Sequence, residues 1–390
     1  MQTFQQRPTD PSFVQNPYPT YARMRAAGDL VAWADYGMIC ATSYAAVDAI
    51  LRDRRFGREV LPEMAEEPAD HIRDFARVDA HSMLELEPPR HTRLRGLVLR
   101  AFTSRRIAAL APEIHALAHQ LIDDLPEPPF DILPTFAEKL PVIIIARLLG
   151  VPDSMANDLL RWSHAMVAMY QAGRTRLIEE KANAAAREFT DFLTGYINKR
   201  RATPADDLIT HLIAAEEDGD RLSTDELIST VILLLNAGHE ATVHTIGNGL
   251  AALLGHGDTV TNANAVTAAE EILRYDPPLH MFSRYAYEPI TLFGHDFERG
   301  DEVGLLLGSA NRDPDFCDDP DVFDINRPAT RHTSFGAGLH FCVGAPLARL
   351  ELQIALPILF ERLPNIALSH KPHYANSYHF HGLERLLITA

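Results

Sequence analysis

The chain has 390 residues, 46% hydrophobic and 23% charged, which is the balance of a soluble globular protein able to bury a large core. Acidic residues outnumber basic ones 53 to 36, a formal net charge of −17, which argues against nucleic acid or an anionic membrane as a partner. Three cysteines, Cys40, Cys317 and Cys342, are too few and too odd in number for a disulfide framework and fit a reducing cytoplasm.

The polar N-terminus has no basic region followed by an apolar one, so no signal peptide is expected. The longest apolar runs, such as 231–235, are far too short to span a bilayer. Length alone suggests two or three domains, but no linker-like stretch divides the chain. A short helix is predicted over 19–27, followed by weak strands in "LVAW" and "MICAT". From His91 to about Arg201 apolar residues recur at helix spacing, in "RLRGLVLRAF", "IAALAPEIHALAHQLIDDL" and "KANAAAREFTDFLTGYINKR".

A long helix then starts at "LSTDEL". Ser223 and Glu226 have capping-box spacing, and Asp225 puts negative charge in the first turn. Gly255 is read as its stop. Its roughly 30 residues would span roughly 45 Å, and so apolar a helix must be surrounded by protein. Yet its middle reads "LLLNAGHEATVHTIGNGL". Gly238 weakens a helix by about 1 kcal/mol relative to Ala. His239 and Glu240 are costly to bury without partners. A sequence that tolerates all three in one turn is using them.

Downstream, "AVTAAEEILRYDPP" is a helix ended by Pro277 and Pro278. Short strands are predicted between Phe282 and Leu307. A loop-rich stretch precedes the last long helix, "PLARLELQIALPILFERL", and the last 25 residues read as strands. The fold class is mainly α with a small β part. Just before that last helix, "SFGAGLHFCVGAPLAR" sets Phe335, Gly338, His340, Cys342 and Gly344 at fixed offsets. Glycines let a backbone pass close to something flat, and a thiolate at a helix N-terminus is a good iron ligand.

This segment resembles the haem-binding loop of the cytochrome P-450 monooxygenases, Phe-x-x-Gly-x-[His/Arg]-x-Cys-x-Gly, and every position matches. The resemblance runs from "PPRHTRLR" to the final strands. It implies one domain over 1–390, in which the long central helix crosses a haem b bound through the Cys342 thiolate. His91 and Arg95, at i and i+4 in "HTRLR", would face the haem propionates together with Arg284 and His340. Glu271, Arg274 and Arg327 match the family's structural ion-pair triad. Ala237, Gly238 and Glu240 match its oxygen-binding stretch, where small residues loosen the helix and the acid feeds protons.

One position departs from the pattern. Where members usually carry Thr, this chain has Ala241. Thr242 lies about 100° around the helix and does not simply replace it. Thr245 lies on the face of Ala241 and is more apt to bond its own backbone. Macrolide-oxidising members with the same Ala use a substrate hydroxyl, so substrate-assisted proton delivery is the expectation.

By resemblance, the chain inserts oxygen from O2 into a hydrophobic small molecule, by hydroxylation or epoxidation. Electrons would come from a ferredoxin and its reductase, with Arg105, Arg106, Arg331 and Arg349 as candidate docking residues. Met83, 162–170, Leu234, Ala237, 279–282 and Phe380 would line the pocket, with His280 as a polar contact. A monomeric, cytoplasmic, soluble bacterial type is expected. Two other readings stay open: a peroxide-using, ring-coupling or desaturating haem-thiolate enzyme, and a non-catalytic haem-binding sensor.

Overall fold

The computed structural model describes the chain except residues 172, 218–219, 329–330 and 379. The central helix is Thr224–His256. Both halves of the capping box form: the Ser223 N–H donates to Glu226 Oε2 at 2.8 Å, and the Glu226 N–H donates to Ser223 Oγ at 3.2 Å. The helix runs on through Gly255 and stops at Gly257, whose left-handed φ of 74° caps it. The predicted stop is thus two residues early, because an α-helix tolerates an exposed glycine and ends where the backbone turns left-handed. Its 33 residues are predominantly buried. Lys139–Leu149, Ala156–Val167, Ala265–Tyr275 and a single π turn, Leu133–Ala137, pack round it.

One large apolar cluster joins these elements to the helices Arg90–Ala101, Ala111–Asp123, Arg176–Ala202 and Ala345–Arg362. The β part is a six-stranded sheet in the order Thr3–Phe4, Leu30–Trp33, Met38–Ala41, Glu302–Leu306, Met281–Ala286, Phe56–Gly57. Glu302–Leu306 pairs parallel to Met38–Ala41 and antiparallel to Met281–Ala286. Val303 and Leu305 bury their side chains with Val47 and Ile50 in a second apolar cluster.

The predicted helices and most of the predicted strands are present. Phe130–Asp131 was not anticipated; it joins Leu387–Thr389 across more than half the chain, and a two-residue strand carries no periodicity to read. The 311–346 stretch carries one 3₁₀ turn, Gly338–His340, within otherwise irregular chain; Ala329 and Thr330 within it lie outside the described residues. Among the described residues no helix is long and apolar enough to cross a membrane.

Candidate active site

The stretch from Phe335 to Gly344 folds over the start of the Ala345–Arg362 helix. The Cys342 N–H donates to the Phe335 carbonyl at 3.0 Å, which closes the loop. Gly338 has φ 66°, and a Cβ there would lie 2.4 Å from the Leu51 carbonyl oxygen, so only glycine fits. At Gly344 a Cβ would stand at ordinary contact, 3.7 Å from Cys342 Sγ. Burial pushes the Cys342 thiol up; the N–H groups of Gly344 and Ala345 oppose this, as do Arg95 and Arg349. Those donors and cations favour a thiolate. Cys40 and Cys317 are buried elsewhere.

Cys342 lines a cavity of ≈290 Å³ closed on the opposite side by the central helix. Along one edge stand His91, Arg95, Arg284 and His340. Arg284 is almost fully buried. Burial, then the nearby Arg58, brings its guanidinium down to about 9. It donates to the Ser283 carbonyl at 2.7 Å, and Arg95 donates to the Phe341 carbonyl at 2.7 Å. Neither is in an ion pair among the described residues. Burial, with His340 and Arg95 beside it, lowers His91 to about 4, and its Nδ1 has no partner among the described residues. His340 differs from the other three: its Nε2 meets Glu87 Oε1 at 2.8 Å. Glu87 was invisible to sequence reading, lying 253 residues from His340 with no motif to tie them.

On the central helix, Ala237, Gly238, Ala241, Thr242 and Thr245 face the cavity. The helix is unbroken through them. The Thr242 hydroxyl donates to the Gly238 carbonyl at 3.1 Å and the Thr245 hydroxyl to the Ala241 carbonyl at 2.7 Å, both one turn back.

Glu240 faces elsewhere. Its carboxylate is nearly buried, 3.5 Å from His164 Nε2 and 3.5 Å from His239 Nε2. Burial pushes it up, but His164, His239 and His244 outweigh this and hold it at about 2. His164 lies on the Ala156–Val167 helix with its side chain 46% exposed. Sequence reading missed it, because contact between two helices about 75 residues apart leaves no local mark.

The rest of the cavity is mostly apolar, with Arg58, Asp79, Ser82 and Ser229 among its polar lining. Met83, Leu234, Leu279, Phe282 and Phe380 line it as expected, as do Met166, Val167 and Tyr170. Trp162 does not: it stacks on Phe189, 4.9 Å between centroids, and its indole N–H donates to Glu188. His280 does not either. It is fully buried, meets the Tyr21 hydroxyl at 3.0 Å, and packs against His381, ring centroids 4.3 Å apart. Asn236 also lines the cavity, and its Oδ1 has no partner among the described residues.

Beneath the cysteine loop the surface opens into a hollow of ≈550 Å³ whose lining includes Arg52, Arg331, Phe341 and Arg349. Arg349 is held by Glu270 and lies 4.6 Å over the Phe335 ring. Arg105 is exposed, and Arg106 reaches Asp206 at 3.7 Å.

The Cytochrome P450 family model matches residues 49–263 and 266–369. The chain belongs to the cytochrome P450 family. It is 39% identical to the polyketide biosynthesis cytochrome P450 PksS of Bacillus subtilis, covering 98% of both chains. It is 38% identical to the vitamin D(3) 25-hydroxylase of Pseudonocardia autotrophica, over 97% of this chain and 94% of that one. The crystal structure of P450BioI with an acyl-chain-ligated acyl carrier protein superposes with a TM-score of 0.91 at 35% identity, covering 97% of this chain and 99% of that one.

This P450 is therefore a monooxygenase whose cofactor is haem bound through a cysteine thiolate. The residues present fit that group. A cavity runs from a sulfur flanked by backbone donors to a helix face of small residues. Two buried or half-buried guanidinium groups without carboxylate partners among the described residues, and an imidazole nitrogen likewise unpartnered, mark one edge for anions.

Proposed function

We propose that this P450 is a ferredoxin-dependent monooxygenase acting on a hydrophobic small molecule that carries a hydroxyl or orders a water beside Ala241. The observation that carries this reading is the commitment of both nearby hydroxyls, Thr242 and Thr245, to helix carbonyls. With Ala at 241, neither is free to donate into the cavity. Asn236 Oδ1, without a partner among the described residues, gives a hydrogen-bond acceptor in a mostly apolar wall, which suits a substrate bearing a donor.

In this reading Cys342 supplies the thiolate, and Phe335, Gly338 and Gly344 shape its loop. When bound there, haem would supply oxygen chemistry in which, with two electrons and two protons, one atom of O2 enters the substrate and the other leaves as water. Arg95, Arg284 and His91 hold the propionates, with His340 fixed beside them by Glu87. Ala237, Gly238 and Ala241 leave room over the reacting face. Glu240 collects protons from the solvent side through His164. The apolar wall excludes bulk water. Electrons arrive from a reductase by way of a ferredoxin docked at the hollow around Arg331 and Arg349.

A second reading shares the same chemistry but takes the substrate on a carrier. P450BioI was crystallised with an acyl-ligated acyl carrier protein, and the likeness to it spans the whole chain.

The test is a spin-state titration of the ferric enzyme with paired hydroxylated and deoxy terpenoids, steroids and macrolides, and with acyl chains free and carrier-bound. Hydroxylated members alone should shift the spin state and couple NADH to product; equal behaviour of the deoxy partners would defeat the substrate-assisted reading. Ala241→Thr gives the complementary result. If the substrate supplies the hydroxyl, the added Thr lowers coupling sharply; if the protein supplies the protons unaided, product yield stays level or rises.

A further inference from the structure

Around Glu240, three potential ligand atoms converge. His164 Nε2 and His239 Nε2 each lie 3.5 Å from Glu240 Oε2, and all three atoms fall within 4.8 Å of one another. A tetrahedral ion with bonds of about 2.0–2.1 Å sets its ligands about 3.3–3.4 Å apart, close to the two measured edges.

The protonation pattern points the same way. The Leu235 carbonyl faces the His239 ring, whose Nδ1 lies 3.3 Å from Ser163 Oγ. The tautomer with its hydrogen on Nδ1 suits these neighbours and leaves a lone pair on Nε2. That nitrogen is fully buried, has no hydrogen-bond partner among the described residues, and lies 3.5 Å from a carboxylate oxygen. Two acceptors held together in a buried site are a conflict that a cation removes. A backbone carbonyl fixing the tautomer of a histidine is also what metal-ligating histidines ordinarily have. His164, about half exposed, supplies the way in from solvent.

We propose that His164, His239 and Glu240 form a binding site for a divalent transition cation of zinc-like chemistry, three protein ligands with a fourth position open, and that its occupancy removes Glu240 from proton delivery. The site stands on geometry alone; the effect on turnover rests on the role given to Glu240 above.

The test uses untagged, haem-loaded protein stripped of metal with a chelator and titrated with Zn2+ against a chromophoric chelator. One equivalent should bind. His164→Ala, at a half-exposed position that the fold does not need, should weaken binding by at least ~10-fold. Glu240→Gln should do the same. The i, i+4 pair His115 and His119, with ring centroids 4.7 Å apart, is a competing zinc ligand set, so His115→Ala should leave the affinity unchanged. If His164→Ala binds like the parent, or His115→Ala abolishes binding, the site is overturned. In parallel, substrate-dependent O2 consumption should fall as Zn2+ saturates the parent and not respond to the same Zn2+ in His164→Ala. Stoichiometric binding with full turnover would leave the site standing and sink the assignment of Glu240 to proton delivery.

Discussion

Gly238 sits mid-helix, where a missing side chain costs about 1 kcal/mol, yet packing does not require it. A Cβ there would meet Ile145 at 3.6 Å, an ordinary contact. Gly238→Ala should therefore raise stability by about 1 kcal/mol, read as a higher Tm, while product formed per NADH falls, because the methyl group enters the space beside Ala237 and Ala241. Glu270 is a second residue with a readable consequence. Burial pushes its carboxyl up, but Arg349 and then His332 hold it down at about 2. Its folded value lies below the ordinary 4.5, so its contribution is complete above about pH 4.5 and disappears as pH falls toward 2. Glu270→Gln should flatten the acid limb of stability between those values in denaturant melts at fixed pH. At this scale the motif positions were legible because their spacing is strict. The environments of Glu240 and His340 were not, since both are set by partners, His164 and Glu87, that only tertiary contact brings near.

The element most constrained by side-chain chemistry is the Ala265–Tyr275 helix. Arg274 forks onto Glu271 at 2.8 Å through both Nε and an amino group. It also donates to the carbonyls of Asn311, Pro320 and Val322, and Arg327 reaches Glu271 from the far side at 3.3 Å. One helix thus gathers an irregular loop that has no strand or helix of its own to tie it to the body. Arg274→Ala would take the forked partner from a fully buried carboxylate, leaving it Arg327 alone as a cation, and should cost about 3–5 kcal/mol. Arg274→Lys should recover little, because an ammonium cannot reproduce the fork. Urea unfolding of both variants checks this. The Glu-x-x-Arg spacing and Arg327 announced the pairing; which carbonyls it collects was not written locally. The same contrast holds for the central helix. Its capping box was legible from Ser223 and Glu226, whereas choosing between Gly255 and Gly257 as the stop needed backbone angles.

Across the whole molecule a net charge of −17 surrounds a hollow bearing Arg52, Arg331 and Arg349. The ferredoxin proposed above, if acidic, would meet general repulsion and a local attraction. Arg331→Ala should slow reduction at low salt and weaken its salt dependence, with little change at high salt; stopped-flow reduction across ionic strength measures both. The division into a helical body and a small sheet was readable from periodicity, and the apolar character of the cavity from the residues that the family resemblance places there. The exclusion of Trp162 and His280 from it was not, since neighbouring residues with the same apolar company turn to opposite sides.

The Ala156–Val167 helix presents Met166 and Val167 to the cavity and His164 to Glu240. If Glu240 delivers protons as proposed, the residues that would touch a substrate and the histidine on the solvent side of the acid ride on one short rod. In an enzyme that squanders reductant whenever it fires empty, such a rod would serve as an interlock between a filled chamber and its proton supply.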